Sequence, residues 1–321
     1  MLFRKLSGVL AVSVALAAAA PSDPDGLFGL YYGPNFAWGV MGNTPLFWGQ
    51  WFPQTVSSFS LDWIEPLGDE LPYGQPLPAN AAFLRMLMNF ELSPYYESFS
   101  LGLGFRPFHV NPQIELKFFY TNLVYFNSNT EMALTSSGGD ASIANTWRAD
   151  YIFDHLWEGE WNDIDYSQSF TFGAYFDFLS KTGISIGGHF NFILVDIDTD
   201  LDGKSYDYQR NMPIFSRDYI FELSFYGHYP IGQNWALMYY CDMYKSGIAR
   251  SGGSVTKESL AYGIVKAGPQ FSWSERRQQL TLLGGFYARS KDRFYDGDLA
   301  EQFIVQVQFV SRLRFLGDLL N

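Results

Sequence analysis

Three groups of residues have types and spacings that could do chemistry. The first is the acidic run 196–203, DIDTDLDG, where Asp198, Asp200, Asp202 and Gly203 match the first half of a calcium-binding loop. Carboxylates at alternate positions with a glycine for the turn suit a hard divalent cation. Gln209 stands where that pattern needs a bidentate Glu, and Tyr206 fills its ninth position. The expectation is a solvated acidic loop, or at most one that holds Ca2+ loosely. The second group is GISIG, 183–187, which matches the expression for a nucleophile elbow around Ser185. That elbow needs a strand–turn–helix corner, whereas Ser185 opens an alternating segment. His189 lies four residues on, roughly 13 Å away at strand rise. Pairing across the 199–216 loop would set His228 opposite Ser185, with Asp177 on the other neighbouring strand. Histidine is then not in the middle, as a proton relay requires, so no catalytic residue is assigned.

The third group is a set of ionisable residues that fall on one parity of successive segments: Arg85, Glu91, Arg106, Glu115, Lys117, Asp177, Glu222, Arg289, Arg312 and Arg314. Mixed signs on one face have two uses. They can neutralise one another as an internal network that fills a closed interior, or they can line a channel with an electrostatic constriction. Tyr175, Tyr226, Tyr240 and Tyr287 share these rows. They suit stacking on planar ligands and interior packing equally well.

The elements that position these residues are strands. In 301–315, EQFIVQVQFVSRLRF, the residues Phe303, Val305, Val307, Phe309, Leu313 and Phe315 share one parity. Gln302, Gln306, Gln308, Arg312 and Arg314 share the other. Apolar against polar at a period of two marks a strand whose faces meet different solvents. The same rhythm runs through 83–92, 98–106, 113–126, 163–179, 184–195, 219–229, 235–244, 259–273 and 280–289, with a shorter strand at 56–63. A first strand is expected near 27–40; the alternative for 20–53 is an extended plug inside a lumen. A partial strand is also expected near 149–156. Short turns at 180–183, 230–234 and 274–278 alternate with longer loops at 199–216, 247–256 and 291–300. A soluble sandwich would keep one face of each sheet wet and polar. Here Phe, Leu, Ile, Val and Tyr fill the apolar row on strand after strand, which suits hydrocarbon outside and a polar interior.

Residues 1–19 read as a secretory signal peptide: basic Arg4 and Lys5, an apolar run, then small residues. Without them 19 basic residues face 33 acidic ones, a net charge near −14, which opposes nucleic-acid binding. Cys241 is the single cysteine, so an internal disulfide is excluded. Thirty Phe, twenty-one Tyr and nine Trp are far above a globular share, while mean hydropathy is near zero. Alternation dilutes apolar residues in this way. Trp38, Trp48, Trp51, Trp63, Trp235 and Trp273 fall near expected strand ends, where indoles anchor at the headgroup region.

From these segments and the closing aromatic strand, the chain resembles bacterial outer-membrane β-barrel proteins as a class. The resemblance implies an all-β antiparallel transmembrane barrel of about 12 strands (10–14). It also implies a single barrel over 20–321 in the outer membrane, short turns in the periplasm and longer loops outside. Expected surroundings are outer-membrane lipid and lipopolysaccharide, with insertion by the barrel assembly machinery. The function it suggests is a porin-like channel for small polar solutes. The alternative is a structural or partner-binding barrel with a filled lumen, a subunit of an envelope assembly. A barrel hydrolase is disfavoured, because four histidines leave little room for the His–Asp pairs of omptin-like proteases or the Ser–His pairs of outer-membrane phospholipases, and neither motif is recognised.

Overall fold

The computed structural model describes residues 30–47, 50–51, 54–68, 71–78, 80–93, 96–125, 165–198, 205–207, 209, 212–214, 217–246, 260–273, 278–289 and 303–313. Among them twelve long strands form an antiparallel wall: β1 Gly33–Phe47, β2 Gln54–Pro66, β3 Phe83–Leu92, β4 Tyr96–Arg106, β5 Gln113–Tyr125, β6 Asp165–Leu179, β7 Ser185–Asp198, β8 Arg217–Pro230, β9 Trp235–Ser246, β10 Leu260–Trp273, β11 Gln278–Arg289 and β12 Phe303–Leu313. Each pairs with its chain neighbours, and β12 returns to pair with β1 from Phe36↔Leu313 to Pro45↔Ile304. The wall is a closed 12-stranded barrel. Gln50–Trp51 extends it briefly beside the end of β1, and Ser205–Asp207 with Met212–Ile214 forms a small hairpin between β7 and β8.

Closure follows from what hydrocarbon permits. An edge strand in lipid would leave a row of backbone N–H and C=O groups without partners, and joining the last strand to the first removes it. The alternating side chains then divide cleanly. Leu84, Met86, Met88, Phe90 and Leu92 of β3 are exposed on the outside, as are Phe99, Leu101, Leu103 and Phe105 of β4. Phe170, Phe172, Phe176 and Phe178 continue this surface on β6, and Phe303 and Val307 on β12. The opposite rows are buried. Apolar outside and polar inside is the inverse of a soluble protein, and it identifies lipid as the outer solvent.

Both ends of the barrel chain, Gly33 and Leu313, lie at the end with the turns 107–112, 180–184 and 231–234. The strand ends Tyr125, Asp165, Asp198, Arg217, Ser246, Leu260, Arg289 and Phe303 lie at the other. Aromatic rings ring the short-turn end. Trp63 lies 6.1 Å from Tyr73, Trp38 5.4 Å from Phe309, Trp273 5.9 Å from Phe309, and Trp235 4.8 Å from Phe271. These are four of the expected anchors; the side chains of Trp48 and Trp51 lie outside the described residues.

The first strand starts and ends later than 27–40. Leu30 is drawn off the wall into a small apolar cluster with Ile64, Ala81 and Phe83, against which Leu77 packs. Its carbonyl accepts from the Leu77 N–H at 2.7 Å, and Tyr31 forms a bridge with Pro76. The strand then continues to Phe47, because β12 and β2 both offer partners that far. Residues 1–29 and the segment near 149–156 lie outside the described residues.

The lipid face gives a direct prediction. Leu101, near the middle of β4, has 44% of its surface exposed. Leu101→Arg is expected to lower the unfolding free energy in vesicles by about 2–4 kcal/mol, read by denaturant titration. Ser100→Ala on the opposite face, which loses a hydroxyl pair with Thr121, is expected to cost about 1 kcal/mol.

Candidate functional site

The inner face carries a nearly continuous polar network, and register explains its continuity. Glu115, Tyr175, His189, Ser224 and Asp242 are successive partners across β5 to β9; Lys117, Gly173, Asn191 and Glu222 form the adjacent row. All point inward because all share the inward parity of their strands.

The network starts on β2, where Asp62 forms an ion pair with Arg85 of β3. Arg85 Nη1 lies 3.9 Å from Glu115 Oε1. Arg106 of β4 joins two carboxylates: its Nε donates to Glu115 Oε2 at 3.0 Å and its Nη2 to Asp177 Oδ2 at 2.9 Å. Its guanidinium also lies 4.9 Å from the Phe83 ring centre. The Tyr226 hydroxyl donates to the other oxygen of Asp177. Lys117 Nζ is 3.8 Å from Glu115 Oε2 and 4.3 Å from the centre of the Tyr175 ring. The Tyr175 hydroxyl donates to Asn191 Oδ1 at 2.9 Å, and Asn191 Nδ2 donates to Glu222 Oε2 at 2.8 Å. On the far wall Ser224 donates to Asp242 at 2.6 Å; Lys266 lies 3.5 Å from Asp242 and donates to Gln306 at 3.0 Å.

These groups are buried: Arg85 retains 3% of its surface, Glu115 1%, Lys117 7% and Glu222 4%. Glycines on the same rows make the fit possible. A Cβ at Gly173 would stand 2.3 Å from Asn191 Oδ1, and one at Gly187 would stand 2.4 Å from the Tyr226 ring. The inner face is therefore packed, with charge set against charge as burial demands.

Seven of the ten ionisable residues marked in the sequence take positions on this inner face. Six of them, Arg85, Arg106, Glu115, Lys117, Asp177 and Glu222, join one network. Glu91 lies nearer the long-loop end, where it accepts from Tyr96 at 3.2 Å and from Gln209 Nε2 at 3.1 Å to each oxygen. Gln209 belongs to the 199–216 connection, so that segment reaches the inner wall of β3. Arg289 and Arg312 lie on strands but their side chains, like the whole of Arg314, fall outside the described residues. Asp198 is the last residue of β7; its side chain, and Asp200 and Asp202, also fall outside them. Asp196 pairs with Arg217 at 3.1 Å on the exposed surface.

Sequence reasoning missed Asp62, Asp242 and Lys266. Their signal was present: each alternates with lipid-facing neighbours, Leu61 and Trp63, Cys241 and Met243, and Val265. The polar lumen expected from the sequence also takes in aliphatic residues. Toward the long-loop end the buried inward residues include Tyr96, Leu123, Tyr125, Ile193, Val195, Ile197 and Ile220, interleaved with Glu91, Ser98, Ser167, Ser169 and Asp218. The Ser185 group forms as register required, with His228 opposite Ser185 and Gly187 opposite Asp177. No relay results, because Asp177 binds Arg106 and Tyr226, His228 Nδ1 lies 3.3 Å from the Gly183 carbonyl, and the Ser185 hydroxyl has no hydrogen-bond partner.

No family model and no curated protein matches the chain. Among solved structures, the translocator domain of the autotransporter NalP from Neisseria meningitidis shares 13% identity, with 98% of this chain and 96% of that one covered at a TM-score of 0.44. An outer-membrane channel of Pseudomonas putida F1 shares 12% identity, with 92% and 100% covered at a TM-score of 0.47. Likeness at this level says nothing about what this barrel does, and its own side chains remain the guide.

Arg106 is the test of the network. Arg106→Ala removes a buried cation that serves Glu115 and Asp177 together, and is expected to destabilise the barrel by about 3–5 kcal/mol. A double-mutant cycle with Asp177→Asn in denaturant titrations is expected to show strong coupling. Additive losses would contradict a shared network.

Proposed function

We propose that this chain is an outer-membrane barrel whose lumen is occupied by its own side chains, and that it serves the envelope as a structural or partner-binding wall. The observation that carries this reading is the burial of the inward ionisable groups together with their mutual pairing. In a water-filled pore, solvent reaches and screens lumen charges. Here Glu115 keeps 1% of its surface and meets Arg106, Arg85 and Lys117. Apolar residues support the same reading at both ends of this stretch: Leu30, Ile64, Ala81 and Phe83 toward the short turns, and Leu123, Ile193, Ile197 and Ile220 toward the long loops.

A second reading is a channel for small polar solutes. It is favoured by the polar lining, which runs from Asp62 around to Gln306, and by the contact of Gln209 with Glu91, a point where a loop displacement would widen the interior. Passage then requires a state in which these contacts part.

Planar-bilayer recording separates the two. The purified barrel is expected to show no steady conductance at moderate voltage. A steady ohmic conductance whose ion selectivity changes in Glu222→Gln would overturn the filled-lumen reading in favour of the channel.

A further inference from the structure

A proline stands inside a strand that has neighbours on both sides. Pro269 lies in β10, between β9 and β11, and a central strand rarely tolerates a residue with no N–H. Direction settles which ladder loses by it. The Ser272 N–H donates to the Asn234 carbonyl at 2.8 Å, so even-numbered residues of β10 turn their backbone groups to β9 and odd-numbered ones to β11. Pro269 therefore faces β11 and has no N–H for the Leu282 carbonyl. The pairing shows the result. The β10–β11 ladder runs from Tyr262↔Arg289 to Ala267↔Gly284, skips Gly268 and Pro269, and resumes at Gln270↔Thr281. Every other ladder of the wall is unbroken over its described length.

Side chains of the two strands do little to compensate. Cross-strand pairs are what stabilise a sheet, and here Lys266 faces Gly285 and Ala267 faces Gly284. A Cβ on Gly268 would overlap the Leu282 carbonyl, and one on Gly285 the Val265 carbonyl, so the close approach admits glycine alone. The step lies in hydrocarbon: Pro269 is level with lipid-facing Leu237, and Phe271, two residues on, belongs to the aromatic row beside Trp235. What holds it comes from the inner face. Lys266 lies across Gly285, where a Cβ would stand 2.9 Å from Lys266 Cγ. Its Nζ passes β11 to donate to Gln306 of β12 at 3.0 Å, and Asp242 of β9 stands 3.5 Å from it. On the other side of the step Gln270 Nε2 donates to Thr281 Oγ1 at 3.1 Å. Behind it are Met238 and Leu283, both apolar and fully buried.

We propose that the Gly268–Pro269 step between β10 and β11 is a lateral seam in the wall, and that Lys266 is the clasp that keeps it shut. Breaking an intact ladder in hydrocarbon leaves many backbone groups without partners. Parting at this step begins from a ladder already short of a donor, so it costs least here. The opening joins the bilayer to an inner face of Met238 and Leu283, which suits an apolar chain from the membrane and does not suit an ion. The seam goes beyond the filled-lumen reading, because it belongs to the wall and not to what the wall encloses.

The test is hydrogen exchange of the full-length barrel in lipid nanodiscs, read by mass spectrometry on peptides of β11 and β6. Amides of 280–285 are expected to exchange roughly ten-fold faster than those of 170–175. Pro269→Ala returns a donor to the Leu282 carbonyl and is expected to slow exchange at 280–285 roughly five-fold, the effect of one hydrogen bond. Lys266→Met is expected to speed it by a similar factor. Equal protection of the two stretches in the wild type, which needs no variant to fold, overturns the seam, as does a Pro269→Ala barrel that exchanges unchanged. Lys266→Met without effect overturns the clasp. Opening is read separately in the Cys241→Ala background with a lipid-soluble maleimide. Leu283→Cys is expected to react faster than Ile193→Cys, which is also inward and buried; equal rates refute an opening. Steady conductance would remove the filled-lumen reading and leave both comparisons to judge the seam.

Discussion

Every feature of this molecule depends on a requirement of the backbone in hydrocarbon: each N–H and C=O must find a partner within the protein. A strand cannot satisfy itself, so the sheet must close, and the β12–β1 ladder closes it. Closure fixes one face of all twelve strands toward lipid and the other toward a common interior. The period of two then sorts the side chains without further instruction. Most Phe, Leu and Met side chains go outward, while the paired Arg, Glu, Asn and Ser go inward.

An interior made this way has its own difficulty. Inward charges taken from water are costly unless other charges and hydrogen bonds replace the solvent. The barrel answers with bridging residues. Arg106 spans from β4 to carboxylates on β5 and β6, and Tyr226 reaches from β8 to Asp177 on β6. The two contacts to Asp177 skip a strand, so they tie the wall together beyond its ladder. Small residues at Gly173 and Gly187 leave the room that Asn191, Tyr175 and Tyr226 occupy. Network and glycines make one design, since neither has a use without the other.

Much of this was legible in the sequence, because a period of two is strong where the two solvents differ most. The bounds of β3 follow from 83–92 alone, and the inward placing of Arg85, Arg106, Glu115, Lys117 and Glu222 follows from parity. The later start of β1 was not legible, because Leu30 leaves the wall for a cluster assembled from distant residues, Ile64, Ala81 and Phe83. Nor was the apolar inward stretch of β7. In 193–197, ILVDI, both parities are largely apolar, so alternation falls silent and only the pairing of Ile193 with Ile220 shows which side is inside. Parity also leaves partners undetermined. It places Asp177 and His228 on inner faces, but the preference of Asp177 for Arg106 and Tyr226 depends on side-chain reach across strands.

On the filled-lumen reading, the inner face is packed and closed to water while the outer face is bathed in lipid. Thiol labelling tests it on two adjacent residues of β11, after replacing Cys241 with Ala. Thr281 is inward with 2% of its surface accessible, and Leu282 is outward with 48%. In vesicles, Thr281→Cys is expected to resist a membrane-impermeant thiol reagent over hours, while Leu282→Cys reacts with a lipid-soluble maleimide. Rapid labelling of Thr281→Cys from the aqueous phase would show a water-filled lumen and contradict the account.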